Sequence, residues 1–177
     1  LKAVSGGCPV MGICGGYQML GDTLSDPHHV EAGGEIRGMG LLPMDTVFEQ
    51  QKTRTQMTGS FLPTPDISGI SFTGYEIHMG ITTLKDGAVP LTCLSDGRFD
   101  GARAGNVCGT YIHGIFDEEA VCKALVGGLL EKKGLSADAV HAFDMNAYKE
   151  QQYDLLADGI RRNMDMDAVY RILEAGV

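Results

Sequence analysis

The chain has 177 residues, 44% of them hydrophobic, enough for one compact domain with a real core. Its 14 basic against 23 acidic residues give a formal charge of −9, which argues against nucleic acid or an anionic membrane as the main partner. Five cysteines at 8, 14, 93, 108 and 122 form no CxxC pair and no zinc-type cluster, so reduced thiols and a cytoplasmic setting are expected, with no metal site. No apolar run approaches the roughly 18 to 20 residues that span a membrane.

The opening LKAVSGG reads as the last turn of a helix with a glycine stop. It suggests a chain that starts within a fold, as a piece of a longer polypeptide. Next comes VMGICGGYQMLG, where a short apolar run, Pro9 to Ile13, meets Cys14, then two glycines, then helical spacing. This is strand, sharp turn, helix. A side chain at such a corner is pushed out of the sheet, and Gly12, Gly15 and Gly16 leave room for a substrate. The helix N-terminus behind Cys14 favours a thiolate and, later, an oxyanion. A buried structural cysteine is the competing reading of this residue taken alone.

The following helix is expected over about Gly16 to Leu24, with Met19, Leu20 and Leu24 facing inward. SDPHHVEAGG breaks it, and the adjacent His28 and His29 point to opposite sides of a solvated loop. From Gly38 to about Gly80 the stretches LLPMDTVFE, TRTQMTGSFL and ISFTGYEIHMG alternate and read as antiparallel strands around a proline-rich loop, LPTPDISG. Strands at about Val89 to Leu94 and Arg98 to Ala102 are joined by the turn Ser95-Asp96-Gly97. Arg98 and Arg103 read as solvated strand residues, either of which could attract a carboxylate.

NVCGTYIHGIF holds a buried strand, Val107 to Ile112, ending at His113. Asp117 is expected to cap a helix through Lys132, with Val121, Leu125 and Leu129 as its buried stripe and Gly134 as its stop. Residues 145–177 form a helical tail of two helices, recapped at Asp165, with Tyr153, Leu156, Ile160 and Met164 as packing residues of the first. Together these elements predict a single α/β domain over 1–177, a three-layer α/β/α sandwich with an antiparallel β insertion, truncated at its N-terminus. Cys14 and His113 both fall at carboxyl ends of predicted parallel strands, where such folds bind ligands.

A lone cysteine is only a few per cent ionised at neutral pH and needs a base beside it. His113, followed by Gly114, is the best candidate. Glu76 and His78, two apart on one strand, face the same side.

GICGGYQMLG resembles the nucleophile motif of class I glutamine amidotransferases, a Gly-x-Cys-x-Gly-x-Gln pattern at Gly12, Cys14, Gly16 and Gln18, and GTYIHG resembles the motif ending in their catalytic histidine. GYEIHMG, GTYIHGIFD and the tail YDLLADGIRRNMDMDAVYRIL are similar to the C-terminal glutaminase domain of the cobyric acid synthase family, so that the resemblance covers nearly the whole chain. It implies that Cys14 attacks the side-chain amide of L-glutamine, that His113 moves the proton, that the Gly15 backbone N–H serves the oxyanion, and that Gln18 contacts substrate. Tyr111, Glu76 and His78 belong to the same motifs and are candidate substrate-binding residues; for Glu76 and His78, substrate contact, interface contact and local structure all stay open.

The resemblance further implies a synthetase domain of the same full-length chain that uses ATP and Mg and amidates a corrinoid, with no cofactor in this domain. Two departures stand out. Where many relatives place a glutamate two residues after the histidine, this chain has Ile115, so Asp117 or another group must orient His113 or the site is a dyad. The strands and the glycine loop that precede the elbow in relatives are not in this sequence, which predicts weak activity for the chain alone. The glutaminase domain of cobyrinic acid a,c-diamide synthase, a non-catalytic docking module, and an unrelated cysteine hydrolase are the alternatives.

Overall fold

A computed structural model describes residues 2–64, 67, 69–136 and 144–176. They fall into two compact units, residues 1–141 and 142–177.

The first unit opens with α1 (Lys2–Ser5), which stops at Gly6 and Gly7 as expected, and continues into β1 (Val10–Ile13) and α2 (Gly15–Met19). Then follow β2 (Thr23–Asp26), β3 (Gly34–Arg37), the long β4 (Met44–Phe61) and β5 (Ser71–Leu84). Four short strands come next: β6 (Thr92–Leu94), β7 (Phe99–Asp100), β8 (Ala102–Ala104) and β9 (Val107–Thr110). The unit closes with β10 (Ile112–His113), a single 3-10 turn (Ile115–Asp117) and α3 (Glu119–Lys132).

These strands form two sheets. In one, β9 lies between β1, parallel to it, and β8, antiparallel. The other runs β10-β5-β4-β2-β3, with β6 and β7 continuing from the far end of β4. The α/β class expected from sequence is what the chain forms, with the β4–β5 hairpin as the antiparallel segment. LLPMDTVFE and TRTQMTGSFL are one strand rather than two: β4 pairs with β5 along both, interrupted by a bulge between Phe48 and Thr53. Part of the LPTPDISG loop, residues 65, 66 and 68, lies outside the described residues.

The helix after Cys14 is shorter than its spacing predicted. It ends at Met19, and Leu24 sits in β2 paired with Ile36 and Thr46. Leu20 and Leu24 are buried as expected, but Met19 is exposed, and the inward residues of α2 are Tyr17 and Gln18. Two cores result. Tyr17, Leu20, Leu42, Met44, Val107 and Tyr111 pack beneath α2, whereas Phe61, Phe72, Leu94, Ile112, Ile115 and Val121 pack under α3.

Asp117 does not cap α3. The helix begins at Glu119 with Glu118 at the cap position, and the Glu118 carboxylate accepts instead from the Thr73 N–H of β5 at 3.1 Å. Val121 is fully buried and Leu125 packs on the core, but Leu129 is exposed.

The second unit holds α4 (Met145–Asn163) and α5 (Met166–Ala175). The Asp165 carboxylate accepts from Ala168 N–H at 2.9 Å, the recapping expected between them. The stripe expected to pack is not buried: Tyr153, Leu156, Ile160 and Met164 are all exposed. No helix among the described residues is long and apolar enough to cross a membrane.

Candidate active site

Cys14 occupies the junction of β1 and α2 with φ 51° and ψ −113°, a conformation that costs a non-glycine residue on the order of 1–3 kcal/mol. Its surroundings over-determine it. The Cys14 N–H donates to Thr110 C=O on β9 at 2.9 Å, and its own C=O accepts from Gln18 N–H of α2 at 3.0 Å. Strand and helix therefore claim its two backbone groups and leave the side chain at the corner. Gly12 permits the close approach: a Cβ there would lie 2.7 Å from backbone atoms of Gly16 and Tyr17. On the outer side, a Cβ at Gly15 or Gly16 would meet nothing within 4 Å, which is the clearance the motif predicted. Gly15 is the first residue of α2, so its N–H belongs to the set a helix leaves without an internal partner.

The Cys14 thiol lies 3.7 Å from the C=O of Ile77 on β5. Two residues earlier, Tyr75 pairs with His113 of β10, and the two rings stack with centroids 5.0 Å apart and planes 8° from parallel. His113 itself comes three residues after Thr110, the residue that anchors Cys14. β1 ends beside Cys14 as expected, but the run ending at His113 is not one parallel strand: β9 stops at Thr110, and His113 lies in β10, paired antiparallel with β5 in the other sheet. His113 Nε2 is enclosed and has no hydrogen-bond partner among the described residues. Gly114 (φ 76°) then turns the chain. Ile115, two residues after His113, is 1% exposed and belongs to the core under α3. The stacked Tyr75, which the sequence reading did not single out, is what fixes the plane of the imidazole.

On the opposite face of β5 the other candidates form a connected set. Glu76 is 2% exposed and receives the Arg98 fork, Nη2 to Oε2 at 2.8 Å and Nη1 to Oε1 at 3.4 Å. Asp96 accepts from Arg98 Nε at 2.7 Å. Arg98 is therefore not the freely solvated residue expected; the β6–β7 turn aims it at a buried carboxylate. Arg103 also departs from expectation, since its Nε is enclosed without a partner.

His78 Nδ1 donates to the Gly80 C=O at 2.8 Å, while its Nε2 faces Glu76 Oε1 at 3.5 Å, a close contact short of a formed hydrogen bond. His78 and the Arg98 guanidinium together hold the Glu76 carboxyl below the usual carboxylate range, against the opposing effect of burial. The His78 ring lies flat on Tyr111, centroids 3.8 Å apart. Tyr111 Oη accepts from Gln18 Nε2 at 3.3 Å and bonds Thr82 Oγ1 at 2.7 Å, which in turn bonds Thr46 Oγ1 at 2.8 Å. Gly80 makes this convergence possible, because a Cβ there would lie 2.4 Å from Gln18 Nε2 and 2.9 Å from Tyr111 Oη.

A second buried carboxylate sits below. Burial pushes the Asp100 carboxyl above its usual range, although it accepts from the Thr110 hydroxyl and the Tyr111 N–H. Thr110 Oγ1 also accepts from Ile112 N–H at 3.0 Å, so Asp100 braces the three residues over which the chain leaves β9 and enters β10. Glu76, His78, Arg98, Asp100, Tyr17 and Tyr111 line a cavity of about 420 Å³.

The elbow, the strand-end histidine and the two sheets they join agree with one family. Residues 1–121 match the CobB/CobQ-like glutamine amidotransferase domain. The chain belongs to that family. Within this CobB/CobQ-like family it is 45% identical over 180 residues to a cobyric acid synthase of Ruminiclostridium cellulolyticum, covering 96% of this chain and 35% of that one. With a cobyric acid synthase of Citrobacter koseri it shares 48% identity over 185 residues, covering 98% and 36%. The chain thus spans only about a third of the length of these curated relatives. Among solved structures, a glutamine amidotransferase from Thermotoga maritima is similar at a TM-score of 0.42 and 15% identity, over 86% of this chain and 60% of that one.

Proposed function

We propose that this domain hydrolyses L-glutamine and passes the ammonia to an ATP-dependent amidating domain of the cobyric acid synthase type, which acts on a corrinoid. The observation that carries the reading is Cys14, held at a positive-φ corner with open glycines before it and an unpartnered imidazole at the neighbouring strand end. In this reading the thiol of Cys14 attacks the side-chain amide carbon of glutamine as His113 takes its proton. The tetrahedral oxyanion receives the Gly15 N–H. His113 then protonates the departing nitrogen, so that ammonia leaves and a thioester remains. Water, deprotonated by His113, hydrolyses the thioester to glutamate and restores the thiol.

We assign ATP and Mg to the synthetase domain and none of their chemistry to the residues described here. The likeness to two cobyric acid synthases favours this assignment over cobyrinic acid a,c-diamide synthase, and the intact Cys14 and His113 favour an enzyme over a docking module. A cytoplasmic location accords with five free thiols.

The test is labelling by a diazoketone analogue of glutamine, followed by peptide mass spectrometry. One adduct is expected, on Cys14, protected by glutamine and absent from Cys14→Ala. Failure of the protein to react, or an adduct on Cys8, Cys93, Cys108 or Cys122 instead, would overturn the reading.

A further inference from the structure

The polar side chains that the family motif places beyond the elbow are deeply enclosed, although Glu76 and Tyr111 border the 420 Å³ cavity. Glu76 is 2% exposed, Tyr111 5% and Gln18 6%. Their polar atoms are engaged with one another along a path that starts at the surface with Arg98, half of whose side chain is exposed, and ends on α2, one turn beyond Cys14. A residue so enclosed acts on a ligand through its neighbours.

We infer that Glu76 is a positioning residue for glutamine binding: paired with Arg98, it holds the His78 ring flat against Tyr111, and Tyr111 in turn holds the carboxamide of Gln18. This rests on the glutaminase reading above and assigns a role to the GYEIHMG motif. The geometry of each link supports it. His78 Nδ1 must carry a proton, because its partner, the Gly80 carbonyl, can only accept. The remaining ring nitrogen is therefore turned toward the carboxylate, 3.5 Å from Oε1, a close contact beside the one hydrogen bond that Nδ1 makes. The His78 ring covers the Tyr111 face at 3.8 Å, and Tyr17 meets Tyr111 edge-on at 5.1 Å. Tyr111 packs against both rings, and its hydroxyl has the Gln18 amide and Thr82 as partners. Gln18 is the one member of the path on the same helix as the elbow, and its backbone N–H is bonded to Cys14 itself at 3.0 Å. The path therefore ends on the residue to which the glutaminase reading gives glutamine recognition, and it does not touch the thiol.

This predicts a loss of recognition with the nucleophile left intact. Removing the charge of Glu76 frees the His78 ring and, through it, Tyr111 and the amide. In Glu76→Gln, the concentration for half-saturation by the diazoketone should rise about tenfold, the effect of one lost charge-assisted hydrogen bond, while the limiting rate of labelling stays within about twofold. Iodoacetamide, which needs no glutamine recognition, should alkylate Cys14 at the parent rate. Tyr111→Phe should behave alike, and the double variant should be no worse than the poorer single one, because both break the same path. Arg98→Gln, a change at a half-exposed hairpin residue, provides the same test without a buried substitution, with an expected rise of about threefold.

An unchanged half-saturation in Glu76→Gln or Arg98→Gln would overturn the inference. So would additive costs in the double variant, or a parallel fall in the iodoacetamide rate, either of which indicates general disruption. A parent protein that iodoacetamide alkylates at Cys14 but the diazoketone does not would instead overturn the glutaminase reading itself, and the inference with it.

Discussion

The two faces of β5 carry opposite kinds of chemistry. Tyr75 turns to one side, where the His113 ring stacks on it and Nε2 has no partner, and the thiol of Cys14, a residue in a strained backbone conformation, lies 3.7 Å from the C=O of Ile77 two residues along the same strand. Glu76 turns to the other, where Arg98, His78, Tyr111 and Gln18 use their polar groups on each other. The difference shows how one strand supports a reactive site. The nucleophile and the imidazole stand on the first face, and the hydrogen-bonded network on the second, where His78 Nε2 also lacks a partner, supplies rigidity that offsets the strain at Cys14. If this division is right, changes on the first face should damage chemistry and changes on the second should damage recognition.

The largest effect should come from His113. His113→Asn keeps a polar side chain of similar reach but removes the base, so glutamate release should fall by about 10²–10⁴-fold. Thermal stability should change little, because the imidazole has no hydrogen bond to lose. Coupled measurement of glutamate release checks this. Activity within about threefold of the parent would show that another group moves the proton and would break the contrast between the faces.

Next in size is the backbone contact that creates the corner. In Gly12→Ala the new methyl would lie 2.7 Å from the C and O of Gly16 and the N of Tyr17, all main-chain atoms that cannot rotate away. Overpacking of this kind costs about 1–3 kcal/mol, and a denaturant-unfolding midpoint should register it. Gly16→Ala provides the control, since its methyl meets nothing within 4 Å. Equal losses in both variants would mean that the elbow is not set by close approach of β1 and α2.

The first face was legible in the sequence and the second largely was not, for a physical reason. A nucleophile elbow is local: the apolar run, Cys14 and the glycines that make room for it are within eight residues, and His113 announces itself by ending a buried run. The Glu76–Arg98 pair joins a residue of β5 to one 22 positions later in a turn, and only that β6–β7 turn, with Gly97 at φ 85°, aims one at the other. Nothing in the spacing of GYEIHMG distinguishes a substrate contact from a positioning role. The helix after Cys14 was overextended because Met19, Leu20 and Leu24 have helical spacing, while the chain in fact turns at Gly21 and Leu24 is buried in a strand. Asp117 failed as a cap for a similar reason: the 3-10 turn from Ile115 displaces the helix start by one residue, and Glu118 at the cap position is drawn to β5.

The smallest effect concerns the two buried carboxylates behind the site, whose environments push them apart. Glu76 is held low, so its contribution to stability is present above the ordinary carboxylate range and is lost as pH falls through its folded-state value. Asp100 is raised, mainly by burial, and the sign reverses. The folded chain binds its proton more tightly than the unfolded one does, so its contribution is fullest below the ordinary carboxylate range and declines as pH rises through the folded-state value. Asp100→Asn removes that titration while retaining an oxygen for the Tyr111 N–H. Between about pH 4 and about pH 7, the parent-minus-variant difference in melting temperature should therefore fall as pH rises. All other carboxylates, Glu76 included, cancel in this difference to first order. A difference that stayed flat would mean that the Thr110 and Tyr111 hydrogen bonds offset burial, and that Asp100 braces the turn into β10 as an ion. A difference that rose would place Asp100 in the same class as Glu76 and remove the contrast between them.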